Sequence, residues 1–186
     1  KAVLVVITAL GCVTLGLSFL NNTDFDRASF ISEDSPLHDY YSAVSERMDR
    51  GTQLSYGIAL STPYGSIEPD FLRRLDGFSE WLREQEQVLG VASLVEVVKT
   101  VNQVMNQDDE GFYRLPDTLS EVEDALFNYS VAQASDFTLA TLANENFDLV
   151  RVFVSTNTQS NQAILQLSDT IDEEFARQFP DATLLH

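Results

Sequence analysis

Along the chain, hydrophobic positions first run together and then fall into alternating strand-like and helix-like periods. The opening run, AVLVVITALGCVTLGLSFL at 2–20, carries no charge. Polar and turn-forming residues follow it, and Ser35-Pro36 then opens a helix in which Leu37, Tyr41, Val44 and Met48 recur at helical spacing up to Arg50-Gly51. QLSYGIALST at 53–62 alternates, with Leu54, Tyr56, Ile58 and Leu60 on one face and Ser55, Gly57, Ala59 and Ser61 on the other, which predicts a strand. After the turn PYGS, Glu68-Pro69 starts a helix whose Phe71, Leu72, Leu75, Phe78 and Leu82 form one stripe, with Trp81 beside it. A short strand over 88–92 completes a β-α-β unit.

The second half repeats this order after an interruption. Ser93 and Glu96 form a capping box that starts a helix through VEVVKTVNQVMN, and DDEG at 108–111 is a charged turn. Thr118 with Glu121, or Ser120 with Glu123, can cap the next helix, whose inner positions are Val122, Ala125, Leu126 and Tyr129. Within 143–156, Asp148, Val150, Val152 and Val154 alternate with Leu149, Arg151, Phe153 and Ser155 as a strand. A helix over 162–179 with Ile164, Leu167, Ile171 and Phe175 inward ends at Pro180, and ATLLH begins a last strand. The order predicts an α+β, ferredoxin-like split βαβ domain with a helical insertion. Its parts are a linker and helix at 21–52, βαβ at 53–92, the insertion at 93–133 and βαβ at 146–186.

The opening run changes this picture. A bilayer needs about 20 apolar residues at ~1.5 Å rise each, whereas a secretory signal has an apolar region of roughly 7–15 residues before small residues. Leu17, Phe19 and Leu20 are bulky where cleavage would want small side chains, and ALGC at 9–12 has Ala9 where a lipoprotein box prefers Leu. Residues 1–20 are therefore expected to be an N-terminal transmembrane helix rather than a cleaved signal. Lys1 precedes it and Asp24 and Asp26 follow it, which orients the residues after about 20 to the extracytoplasmic side.

Charge removes whole classes of partner. With 29 acidic residues against 11 basic ones the net charge is −18, so phosphate backbones are repelled and nucleic-acid binding is not expected. The single cysteine, Cys12, lies in the apolar run, so the domain beyond it must be held by its core rather than by disulfides. The two histidines, His38 and His186, form no cluster, and neither a metal nor a cofactor is expected. His38 near Asp39 lacks a nucleophile elbow, so the chain does not read as an enzyme. Asp108-Asp109-Glu110 lacks the spacing of an EF-hand and reads as a solvated turn. Asp169, Asp172, Glu173 and Glu174 fit the exposed face of a helix, and Asp70 and Asp76 with Arg73 and Arg74 read as surface pairs.

Several segments together carry a resemblance. The apolar run, SEDSPLHDYYSAVSERM, PDFLRRLDGFSEWLREQEQVLGVASLVEVVKTVNQVMN, YRLPDTLSEVEDALFNY and a strand with VRVFV resemble an extracytoplasmic loop of the resistance-nodulation-division (RND) superfamily. The similarity is to its MMPL-type predicted exporter branch and covers essentially the whole chain. It implies a longer, multi-pass protein of the inner (plasma) membrane with two similar halves, in which this chain supplies one transmembrane helix and its periplasmic porter loop. It also implies proton-driven transport of a lipid or other amphiphile, with the second porter loop as partner and a homo-oligomer as a further option. No charged residue lies within 2–20, so no proton-relay residue is assigned here.

Within the insertion, Phe112, Tyr113, Phe127 and Tyr129 are candidate substrate contacts, because apolar recesses bind lipids. Their spacing beside Leu and Val fits core aromatics as well, and more often means that. A second function class also fits the chain: the extracytoplasmic ligand-binding domain of a membrane-anchored sensor.

Overall fold

The computed structural model describes residues 52–132, 138–158 and 160–186, together with the isolated positions 7, 11, 35 and 36. Apart from those positions, the expected transmembrane helix at 1–20 and the helix after Ser35 lie outside the described residues. Among the described residues, no helix is long and apolar enough to cross a membrane.

The elements follow the order β1 (Gln53–Leu60), α1 (Pro69–Arg83), β2 (Val88–Ala92), α2 (Leu94–Met105), α3 (Leu119–Val131), α4 (Leu139–Leu142), β3 (Leu149–Thr156), α5 (Asn161–Gln178) and β4 (Ala182–Leu185). The fold is thus mixed α+β, with one four-stranded antiparallel sheet in the order β2-β3-β1-β4. β3 lies between β1 and β2, and β1 lies between β3 and β4, so each strand-helix-strand unit is threaded by a strand of the other.

Local chemistry sets the boundaries. Pro69 occupies the first turn of α1, where its missing N–H leaves no bond unmade. α2 starts at Ser93, whose hydroxyl accepts from Val95 N at 3.2 Å while Glu96 accepts from Ser93 N at 2.7 Å. Of the two boxes the sequence offers for α3, the structure uses Thr118 with Glu121: Glu121 N donates to the Thr118 hydroxyl at 3.4 Å and Thr118 N to Glu121 at 3.2 Å. Ser160 caps α5 by accepting from Ala163 N at 3.3 Å. The second strand carries a bulge. Between Val88 and Gly90 its partner advances only from Thr156 to Ser155, which leaves Leu89 exposed and keeps Val88 and Val91 on the core face.

The core sits on one face of the sheet. Tyr56 and Ile58 of β1 and Val150, Val152 and Val154 of β3 meet Phe71, Leu72, Leu75, Phe78 and Leu82 of α1 and Leu167, Ile171 and Phe175 of α5. Phe78 and Phe179 cross edge-on at 5.7 Å, Phe175 and Phe179 stack at 5.0 Å, and Trp81 stacks on Phe78 at 5.8 Å. The insertion joins the same core through Leu94, Val95 and Val98 of α2 and Val122, Ala125 and Leu126 of α3.

Two charge assignments change. Asp76 is no partner of Arg73 or Arg74; it pairs with Lys99 of α2 at 2.6 Å in a half-buried bridge. Arg74 instead reaches Asp181 with both nitrogens, at 2.8 and 3.2 Å, fastening α1 to the α5–β4 turn. Glu174 is buried rather than on the exposed face of α5, and Arg177 and Gln178 both donate to its carboxylate.

Candidate functional site

Three segments meet beside the insertion to form an apolar groove of about 280 Å³. The β1–α1 turn supplies Tyr64 and Ile67, α3 supplies Leu126 and Phe127, and the stretch from α4 to β3 supplies Leu139 and Phe147. Leu126 and Ile67 belong to the buried core, so the floor of the groove is the core's own surface. The rim is open, with Phe127 67% and Tyr64 56% exposed. Exposed phenyl rings cost free energy in water, at about 25 cal/mol per Å² of apolar surface, so a phenyl at the lip of an apolar recess is a candidate contact.

Four described residues other than glycine have positive φ: Gln107 and Asp108 in the turn after α2, and two more at the groove. Tyr64 and Phe147 have φ of 61° and 49°, a region where bulky side chains are rare. Their rings stack at 6.3 Å across the junction of the two loops. Tyr64 N donates to Asn146 O at 2.7 Å and Ser66 N to Phe147 O at 3.0 Å, so each strained residue is fixed by backbone bonds to the opposite loop. Asn144 adds a brace, accepting from Asp148 N and Leu149 N at 3.1 Å each. Left-handed conformations at such residues cost on the order of 1–3 kcal/mol each and concentrate at ligand clamps and active sites.

The aromatics chosen from the sequence do not form one site. Phe127 alone of the four lines the groove. Phe112 and Tyr113 lie at the far end of α2, where Asn102 Nδ2 donates to the carbonyls of Phe112 and Arg114 at 3.0 Å each and Lys99 sits 5.8 Å over the Tyr113 ring. The Asn102 bonds hold the backbone of this segment, while the Tyr113 ring stays 48% exposed. Tyr129 is half-buried on α3, away from the groove. Tyr64 in the PYGS turn, Leu139 in a one-turn helix and Phe147 just before β3 belong to no period that marks them as lining residues. The available signal was Phe127 itself, one residue off the stripe of Val122, Ala125 and Leu126 and therefore turned outward.

Electrostatics give the groove little catalytic character. Among the described residues, Glu123 is the only ionisable group at its rim besides the Tyr64 phenol. Among the described residues no three His, Cys, Asp or Glu side chains converge as a metal site needs. Shifted groups lie elsewhere: hydrogen bonds from Arg74 hold Asp181 below the usual carboxylate range, and those from Arg177 and Gln178 do the same for Glu174. Burial pushes the Tyr56 phenol up, while its hydroxyl donates to Ser168 at 3.3 Å. No family model matches the chain, and no curated protein sequence matches it.

Proposed function

We propose that this chain is the extracytoplasmic porter loop of a proton-driven membrane exporter of lipids or other amphiphiles, of the MMPL-type branch of the RND superfamily. In this reading residues 2–20 anchor the loop, and 53–186 are a ferredoxin-like split βαβ porter domain with the insertion at 93–133. The strand order supports it, since β1-α1-β2 and β3-α5-β4 interleave as such a domain requires. The observation that carries the amphiphile part is the groove at Phe127. An apolar recess on a rigid, interlocked body is what a rocking porter can present alternately to two sides.

Mechanistically, proton binding in membrane helices beyond this chain rocks the porter domain as a unit. The interleaved sheet transmits the movement without deforming, and the insertion carries the groove with it. Tyr64 and Phe147, held by loop-to-loop hydrogen bonds, keep the recess open before an alkyl chain arrives, which spares the cost of ordering it on binding.

The complete reading frame tests the reading. It is expected to encode five hydrophobic spans after this loop, an acidic residue inside one of them, and a second loop of similar pattern. Cells carrying Phe127→Arg in the full-length protein are expected to retain a fluorescent amphiphile that wild-type cells expel. A single further span followed by a signalling domain would overturn the exporter and leave a ligand-binding sensor.

A further inference from the structure

The second face of the sheet holds a separate recess of about 430 Å³ on the other side of α4. Gly57 of β1 is its floor, Leu149 of β3 and Leu185 of β4 are its sides, and Ala140 and Ala143 close one end. A Cβ placed on Gly57 would stand 3.4 Å from Leu149 Cδ1 and 3.4 Å from Leu185 Cβ, so any longer side chain there would grow into the recess. The volume falls in the range of about 300–1,000 Å³ typical of small-molecule sites.

Its charge is unusual for this protein. In a chain of net charge −18, the described residues lining the recess include Arg151 and His186 and no Asp or Glu. Among the described residues, Arg73, Arg74, Arg83, Lys99, Arg114 and Arg177 all have carboxylate partners, and Arg151 is the one Lys or Arg without an ion pair. Its guanidinium lies 5.7 Å from the Phe153 ring centroid, a cation-π contact that steadies the group and leaves its N–H edge free to donate.

We propose that this recess binds a single-chain amphiphile with a carboxylate head, the head held by Arg151 and the alkyl chain laid over Gly57 between Leu149 and Leu185. The proposal deepens the amphiphile reading above by fixing the chemistry of the head group. Among the described lining residues there is one guanidinium and no second Lys or Arg, and His186 faces Asp172 at 3.3 Å, so the recess matches a monoanion; the planar fork of Arg151 fits a carboxylate bidentately. A phosphate monoester, with its second charge, would face the surrounding acidic surface with nothing to offset it. Leu139 lines the Phe127 groove while Ala140 lines this recess, so α4 is a wall common to both.

The test uses the 186-residue chain in phosphatidylcholine nanodiscs, labelled with photoreactive dodecanoate and with the matching dodecanol, and mapped by mass spectrometry. Dodecanoate is expected to label peptides containing Leu149 or Leu185, about tenfold more than dodecanol, as one charge-assisted bond would give. Arg151→Gln is expected to lose that excess with an unchanged melting temperature, and Gly57→Leu to lose labelling with Arg151 intact. Equal labelling by dodecanol, unchanged labelling of Arg151→Gln, stronger competition by dodecyl phosphate than by dodecanoate, or labelling confined to 2–20 would each overturn the proposal. None of these results bears on the number of membrane spans in the reading frame, so this site can fail while the exporter stands.

Discussion

The protein contains two aromatic clusters that the fold treats in opposite ways. Phe71, Phe78, Phe175 and Phe179 lie between α1 and α5, all but fully buried and in contact with one another. Tyr64, Phe127 and Phe147 stand around an open groove, two of them at positive φ. The first cluster stabilises the fold through burial and ring contacts; the second leaves apolar surface in water and adds backbone strain. Aromatic residues that cost the folded state free energy are explained better by what they touch than by what they hold together.

The largest expected effect breaks the comparison from the core side. Phe78→Ala should cost about 3–5 kcal/mol of unfolding free energy, because a fully enclosed ring is replaced by a cavity. Chemical denaturation of the full chain measures this directly. Thr118→Ala should cost about 1 kcal/mol by removing the cap of α3, the helix that bears Phe127, and helix loss is readable by circular dichroism.

At the groove the effects on stability are expected to be much smaller. Tyr64→Gly relieves a left-handed strain but gives up the stacking with Phe147, so its net effect should stay below about 1 kcal/mol. Phe127→Ser should change stability by no more than about 0.5 kcal/mol, as exposed substitutions do. It should nevertheless reduce binding of a fluorescent apolar probe. A Phe127→Ser variant as damaged as Phe78→Ala would make both clusters structural and dissolve the contrast.

The smallest effects are those of pH. Asp181, Glu174 and Glu121 have carboxyl groups held below their ordinary values, by Arg74, by Arg177 with Gln178, and by the Thr118 hydroxyl respectively. The unfolded chain therefore binds protons more readily, and their stabilisation is present above the ordinary carboxylate range and fades as pH falls through their depressed values. Tyr56 acts in the opposite direction: its raised phenol favours the folded state below the ordinary value of 10.0 and loses that contribution as pH rises. Thermal melts across acid and alkaline series should show both declines.

Much of the fold was legible because its periods are strong. The alternation in QLSYGIAL, the stripe of α1 and the Ser93–Glu96 box each determine an element locally, and the structure puts those elements there. LATL, which forms α4, is too short to show a period, so it passed unread. Asp76 looked like a neighbour of Arg73 and Arg74, yet its partner Lys99 comes from another helix, which only the packing of α1 beside α2 reveals. The groove was the least readable part. Its walls come from two turns and a helix far apart in sequence, and turn residues such as Tyr64 and Phe147 carry no period that announces a lining role.

The interleaving of the two strand-helix-strand units has a consequence for how the chain is made. β1 is synthesised before both of its hydrogen-bonded neighbours, β3 and β4, which are formed by residues after 148. The sheet cannot close until nearly the whole domain has emerged, and through that interval the inner positions of β1 and α1 stay without their native cover. Such pairing between distant segments slows folding and lengthens exposure to aggregation. The protein is therefore expected to depend on a holding chaperone during synthesis, and truncation before β3 should leave β1 without a partner on either edge.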